Sequence, residues 1–512
     1  MPPPRPLNSS ALQAALLIAL ALLLFLASDQ PARAGAFIVD STADAEDANR
    51  GDGVCATADG QCTLRAAIEE ANALAGPDTI TLPAGTYTLA LDRLVITDDL
   101  TLAGDGPDLT IIDGNSASRV LFIEPNATVD ISGVTIRNGN SGSSGGGIAN
   151  GGTLTLTDSV VADNTAGNSG GGINNFGSLT LIDSIVTGNT ASFAGGGIST
   201  SEGTLELRNT TVSGSTVDGI GGGIYNLRGT IVLTNTTVSG NMSGGGGGGI
   251  NNQPGSTLIL ANVTISGNTA TESFPAIVNV AGSTVTMTNV TVTGNTSPNE
   301  FVAAIANHGT MALKNTIIAN SGVDCFGGDI TSLGHNLDSD GTCGLTEPTD
   351  LPNVDPLLGL LADNGGPTLT HALLPGSPAI DAGDNAACPA TDQRGIARPQ
   401  GAACDIGAYE FGGAVPTPSP SPSPSPTPTP GPALPIEDQL GDCFDVTSAA
   451  WGHDNQAKVW QGFFPGQPLV LQDLTEFLAG AAYLVNVSAN CTVSFGANAV
   501  NLYTGWNLFG WR

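Results

Sequence analysis

The chain has 512 residues, a formal net charge of −32, only 12 % charged residues and 70 glycines. That balance argues against a nucleic-acid partner, which needs clustered Lys and Arg, because the sequence holds only two lysines, Lys314 and Lys458. The length allows two or three domains, and the glycine content is unlike that of ordinary globular enzymes.

Residues 1–34 read as a signal peptide. An apolar run from Ala11 to Ala27 follows Arg5 and leads to the small residues Ala32 and Ala34, so the mature chain is expected to begin near Gly35. The alternative is an uncleaved anchor helix, since the run approaches the roughly 18–20 residues that span a bilayer. No second apolar run of that length follows, so no integral membrane domain is expected after cleavage. The eight cysteines suit an oxidising compartment and form four sequence-near couples: Cys55 with Cys62, Cys325 with Cys343, Cys388 with Cys404 and Cys443 with Cys491. Eight cysteines allow 105 connectivities, so the pairing rests on proximity alone.

Residues 35–78 precede the repeats. Asp47, Asn49 and Asp52 are spaced like an acidic calcium loop, but Gly51 stands at the third ligand position and no Glu follows at the bidentate one. A surface turn is expected, with calcium as the alternative and no other cofactor implied. After Cys62, Thr63 is placed to cap a helix whose Leu64, Ile68, Ala71 and Leu74 share one face. Such a helix would cover the open strand edge at the start of a stack.

Residues 79–320 repeat. An isoleucine recurs at Ile148, Ile173, Ile198, Ile224, Ile250, Ile277 and Ile305, in step with an apolar pair from Val129 and Ile131 to Met311 and Leu313. A third apolar column runs from Ile136 to Ile318. Each repeat thus carries short segments of period-two alternation bounded by turn residues. Asn and Asp keep the same register in three columns: Asp158 to Asn315, Asn138 to Asn320, and Asn150 to Asn307. The expected fold is all-β, a right-handed parallel β-helix of about 25-residue coils, with equivalent residues stacked about 4.8 Å apart. Irregular coils are expected from Ile80 to Ile123. A β-propeller is the alternative, but its blades need roughly 40 residues each.

Two segments carry a family resemblance. Phe37 to Ala75, with Cys62-Thr-Leu-Arg-Ala-Ala67, resembles the CSLREA-type N-terminal module of bacterial surface β-helix proteins, with Thr63 for Ser and Ala66 for Glu. Asn315 to Phe411 resembles the choice-of-anchor Q region, through Gly334-His-Asn-Leu337, Asp363-Asn-Gly-Gly-Pro-Thr368, Gly376-Ser-Pro-Ala-Ile-Asp-Ala-Gly383, Asp392-Gln-Arg-Gly395 and Asp405-Ile-Gly-Ala-Tyr-Glu410. The resemblance implies a pectin-lyase-like β-helix on a secreted or surface protein and names no reaction. Residues 321–413 are accordingly expected to close the helix. Residues 414–432 alternate Pro with Ser and Thr as a semi-rigid spacer, and residues 433–512, with all four tryptophans, are expected to form a small disulfide-stapled β module. With neither a sortase-type motif nor a hydrophobic tail at Arg512, surface attachment is expected to be non-covalent.

Catalysis on such a scaffold needs paired carboxylates, or carboxylates holding calcium beside a base. Asp158 and Asp183 are the weak candidates, since they stack on adjacent coils. They more simply begin a polar ladder continued by five asparagines, with no recurring Lys or Arg and no aromatic platform in the neighbouring repeats. His308, His335, His371 and His453 lack metal-ligand spacing. Asp392, Arg394, Arg398, Asp405 and Glu410 read as an ion-paired cap at the helix end rather than a binding site, and the tryptophans as the core of a small domain rather than a glycan-binding face. The expected function is a secreted or cell-surface protein, non-enzymatic, that displays or binds. Its partners would be extracellular polysaccharide, matrix or a neighbouring cell surface. The alternative is a polysaccharide lyase or glycoside hydrolase.

Overall fold

A computed structural model describes residues 34–298 and 303–413, together with strands of a C-terminal unit between 447 and 510. The expectations for the signal peptide up to residue 33, for the 414–432 spacer and for the Cys443–Cys491 pairing lie outside the described residues.

The repeat closes because each apolar column lands on itself one coil further on. Ile148 stands on Ile173, then Ile198, Ile224, Ile250, Ile277 and Ile305, in parallel register throughout. The pair Leu154 and Leu156 continues to Met311 and Leu313, and Val161 continues to Ile318. These side chains form one continuous buried core. A one-residue slip would turn every one of them outward, so the pattern admits one register.

The coils build three parallel sheets of ten, twenty-one and six strands, the smallest formed only by the coils between Asn140 and Ala270. Ten strands spaced about 4.8 Å apart make a rod about 43 Å long. All pairings in the coil region are parallel, which excludes the propeller, whose blades are antiparallel. The chain enters the stack early: Ala36–Ile38 pairs with Asp78–Leu82, and the irregular coils up to Leu121–Ile123 keep the same register.

Two corners repeat along the helix. At the first, Asp158, Asp183, Asn209, Asn235, Asn262, Asn289 and Asn315 take φ between 45° and 52°, a conformation that Asn and Asp tolerate better than other non-glycine residues. At the second, Asn138, Asp163 and Asn320 share a positive φ with Gly188, Gly214, Gly240, Gly267 and Gly294. This corrects the column assignment of Asn138 and Asn320, which are corner residues one position ahead of the ladder. The ladder itself comprises buried Asn164, Asn189, Asn241, Asn268 and Asn295. Asn164 Nδ2 donates to Asn189 Oδ1 at 3.0 Å and Asn268 Nδ2 to Asn295 Oδ1 at 2.9 Å, with Ser215 in the gap and Ser321 at the end. A second buried ladder runs from Asn150 to Asn307, broken once at Thr200, with amide contacts of 2.8–3.0 Å. The glycine runs follow from crowding: a Cβ on Gly171 would stand 2.4 Å from the Gly196 carbonyl oxygen of the next coil.

Both ends are covered. Helix α1 (Leu64–Ala73) starts at Thr63, whose Oγ1 accepts from the Ala66 N–H at 3.1 Å, and buries Leu64, Ala67, Ile68 and Ala71 against the first coils. Leu74 serves as its C-cap. At the other end, strands Val323–Gly327, Leu337–Asp338 and Leu351–Pro352 close the stack, with Leu345 and the Cys325–Cys343 disulfide in the core. Cys55–Cys62 and Cys388–Cys404 are also bonded.

Residues 355–413 do not cap the end. They turn back along the flank, where Gln393 donates to Thr237 Oγ1 (2.9 Å) and accepts from Thr264 Oγ1 (2.7 Å), and the Ala408 N–H donates to Thr291 Oγ1 (3.0 Å). The charged residues lie within this strap, as buried pairs Arg394–Asp392 (2.7 Å) and Arg398–Glu410 (2.9 Å). The end-cap expectation for them is thus corrected to a lateral strap.

The chain divides into two compact units, with the second spanning residues 418–512. Its described strands form an antiparallel sheet of Val459–Phe463, Thr447–Asp454, Ala482–Val487 and Gly505–Gly510, and a hairpin of Cys491–Phe495 with Asn498–Leu502. Trp451, Trp460 and Trp506 lie on these strands, whereas Trp511 lies outside the described residues. Among the described residues no helix is long and apolar enough to cross a membrane.

Asn252 accepts from Asn226 at 2.9 Å and donates to Asn279 at 3.0 Å in the second ladder. Asn252→Ala should therefore strand two buried amides and lower the unfolding free energy by about 3 kcal/mol in chemical denaturation, and a neutral effect would contradict the ladder's role.

Candidate functional site

The carboxylates singled out from the sequence do not converge on a reacting centre. Asp158 and Asp183 are exposed corner residues on successive coils. Asp183 Oδ1 accepts from Asn209 Nδ2 at 2.9 Å, and the chain of amides continues through Asn235 to Asn262 at 3.2 Å per step. Arg208, on the next coil, is engaged by Glu206 at 2.5 Å. The two aspartates thus stand at the start of a surface polar ladder.

In the Asp47 loop, both carboxylate oxygens of Asp47 accept backbone N–H groups, from Asn49 (2.8 Å) and Ala56 (2.9 Å), and Asp52 accepts from the Val54 N–H (2.9 Å). Glu70, fully buried on α1, receives the N–H groups of Gly51 and Gly53, while Glu69 receives that of Asp47. The loop is thereby tied to the cap helix by carboxylates that the sequence reading had not singled out. Beside it, Arg65 pairs with Asp44 at 2.7 Å in near-complete burial.

His371 bridges Ser266 Oγ (2.8 Å) and the Gly359 carbonyl (2.7 Å), and burial pulls its pKa below the ordinary imidazole value. His335 contacts the Ala382 carbonyl at 2.8 Å, and His308 stands edge-on to Phe326. In the strap, burial above all pushes Asp405 up to about 6, with the Glu410 charge adding to the rise.

The arrangement with binding character lies on the outer face of the ten-stranded sheet. The residue after each core isoleucine points outward, and the register aligns Phe122, Ala149, Asn174, Ser199, Tyr225, Asn251, Val278, Ala306 and Phe326 in one column. Aromatic rings occupy every fourth step, about 19 Å apart at the interstrand spacing. The glycine turns pass over the middle of this column: a Cβ on Gly221 would meet that of Tyr225 at 3.0 Å, which leaves the ring only 7 % exposed. The two ends are open.

At the N-terminal end a groove of about 490 Å³ is lined by Arg119, Phe122, Pro125, Asn174 and Phe176, with Ser143 and Ser144 on its rim. The Phe122 ring has the Arg93 and Arg119 guanidinium carbons at 5.3 and 5.5 Å from its centre. Arg119 is held by the Gly145 (2.8 Å) and Ser144 (2.6 Å) carbonyls, and burial lowers its pKa from the usual guanidinium value. Phe176 is 59 % exposed, as is Phe193 in the same repeat, which corrects the expectation that the repeats around Asp158 and Asp183 lack aromatic surface. At the far end, Phe326 stacks on Phe274 with ring centres 5.6 Å apart.

Asp158→Asn and Asp183→Asn should leave thermal stability unchanged or raise it slightly, because Asn suits the corner and extends the amide ladder. A loss above about 1 kcal/mol for either would point to a role beyond the ladder.

No family model matches the chain, and no curated protein matches it. The chain is similar to the crystal structure of pectate lyase Pel9A, with a TM-score of 0.49 and 17 % identity, over 74 % of this chain and 97 % of that one. The parallel β-helix stands on the strand register itself, and nothing about activity follows from this likeness.

Proposed function

We propose that the chain is a secreted or cell-surface β-helix protein that holds extended polysaccharide on the outer face of its ten-stranded sheet without cleaving it. The observation that carries the reading is the groove lined by the Phe122 ring, backed by two guanidinium groups, by the open Phe176 ring and by Ser143 and Ser144. Aromatic faces take the C–H faces of sugar rings, while amides and hydroxyls take their hydroxyl groups. The groove lining contains no carboxylate, so the acid and base that hydrolysis or elimination requires are missing from it. In a chain of net charge −32, Arg119, which has no carboxylate ion-pair partner among the described residues, gives this end a local positive character that favours acidic polymers, whereas Arg93 is paired with Asp92 at 3.7 Å.

Secretion is supported by the apolar leader and by three disulfides, a cross-link count that belongs to oxidising compartments. Membership of the CSLREA and choice-of-anchor surface group is supported by the Thr63 cap and the Arg65–Asp44 pair, which give the motif residues structural work at the first coil. In this reading the polymer belongs to the extracellular matrix or to a neighbouring cell surface, and the C-terminal unit serves attachment.

The test is retention of pectic, alginate and glycosaminoglycan polymers by the mature chain, with release of reducing or unsaturated ends followed in parallel. Retention without cleavage is expected. Phe122→Ala and Phe176→Ala should each weaken it by about 1 kcal/mol, roughly fivefold. Cleavage of a polymer would favour a lyase or hydrolase, and undiminished retention in both variants would move the site elsewhere.

A further inference from the structure

The last coil holds a group of acids that its own hydrogen bonds do not explain. Asp324 lies on Val323–Gly327, Asp338 on Leu337–Asp338 and Asp340 in the following turn. One carboxylate oxygen from each lies within 4.8 Å of the others, and Asp324 and Asp338 are entirely out of solvent. Among the described residues no Lys or Arg forms an ion pair with any of the three.

Most of these oxygens are oriented by the backbone. Asp338 accepts from Gly341 (2.5 Å), Asn353 (3.2 Å) and Cys343 (3.1 Å), and Asp340 accepts from Thr342 (2.9 Å) and the Asp324 N–H (3.1 Å). Asp324 Oδ2 accepts from the Ser339 N–H (2.8 Å) and hydroxyl (2.7 Å). Its other oxygen, Oδ1, is buried with no hydrogen-bond partner. An orphaned carboxylate oxygen beside two further carboxylates, in a place shielded from water, is costly as a bare anion, and either a proton on the group or a cation among the carboxylates must offset its charge.

We propose that Asp324, Asp338 and Asp340 bind a calcium ion that locks the last coil of the helix. The donors are all oxygen, which selects a hard cation over a transition metal. Two ligands of one calcium ion stand at most about 5 Å apart, so donor oxygens that all lie within 4.8 Å of one another can share one, and calcium's tolerance of irregular carboxylate geometry favours it over magnesium, which demands a near-ideal octahedron. The Cys325–Cys343 disulfide joins the strand of Asp324 to the turn after Asp340 and holds the two halves of the site together. The ion neutralises the group and fastens the strand that ends the ten-stranded sheet, where no further coil supplies pairing.

The full chain, purified in chelator, would be titrated with calcium chloride by calorimetry, with thermal unfolding followed in parallel. One ion per site with micromolar to millimolar affinity is expected, together with a rise of a few degrees in melting temperature and at least tenfold weaker binding of magnesium. Asp324→Asn removes the buried charge, so it should fold in chelator and lose both the binding heat and the calcium-dependent shift. If that variant fails to fold, Asp340→Asn, at a half-buried position, carries the same test. Absence of heat and of a shift in the parent at millimolar calcium would overturn the proposal, as would undiminished binding in the folded variant.

Discussion

The structure depends on equivalent residues of successive coils standing directly above one another. Apolar columns supply most of the driving force, since burying one Ile, Leu or Val is worth roughly 1.5–3 kcal/mol, but a greasy column alone tolerates small shifts. The buried amide columns do not. Asn226, Asn252, Asn279 and Asn307 each need a neighbour at hydrogen-bond distance, and displacement of one coil would leave donors and acceptors unpaired along the ladder. Polar groups therefore specify the register that the apolar groups make stable.

From that register the outer surface follows. Because the coils are locked, the residue after each core isoleucine falls on one straight line, and rings at Phe122 and Phe326 become the open ends of a column rather than scattered surface phenylalanines. The glycine turns decide which part of the line is accessible. They cross close above the middle coils, where a Cβ would strike backbone, and leave the ends free. The buried ion pairs at Arg65–Asp44 and Arg398–Glu410 belong to the segments that cover the stack at its start and along its flank. Pairs so deeply buried add less to stability than to fixing how those segments sit.

The fold is legible in the sequence because its period is short and its residue types are restrictive. Period-two alternation, turn residues and a spacing of about 25 residues point to a parallel β-helix, and Thr63 ahead of Leu64, Ile68 and Ala71 marks the cap helix. Legibility fails where one residue type serves two adjacent positions: Asn138 and Asn320 look like ladder members because the corner beside the ladder also accepts Asn. The return of residues 355–413 along the flank is invisible in the sequence, since its partners Thr237, Thr264 and Thr291 form a stacked threonine column that looks no different from the one at Thr204, Thr230 and Thr257. The aromatic column carries a ring only at every fourth coil, so no single repeat displays it, and it appears only once the isoleucine register is extended by one residue. The acidic group of Asp324, Asp338 and Asp340 is likewise dispersed along the chain until strand pairing gathers it.

The most direct measurement of the binding account is hydrogen–deuterium exchange of the mature chain with and without a retained polymer. The account predicts added protection in the segments around Phe122, Ser144 and Phe176, with the 447–510 strands unchanged. Protection confined to those C-terminal strands, with the groove segments exchanging as in the free protein, would contradict it.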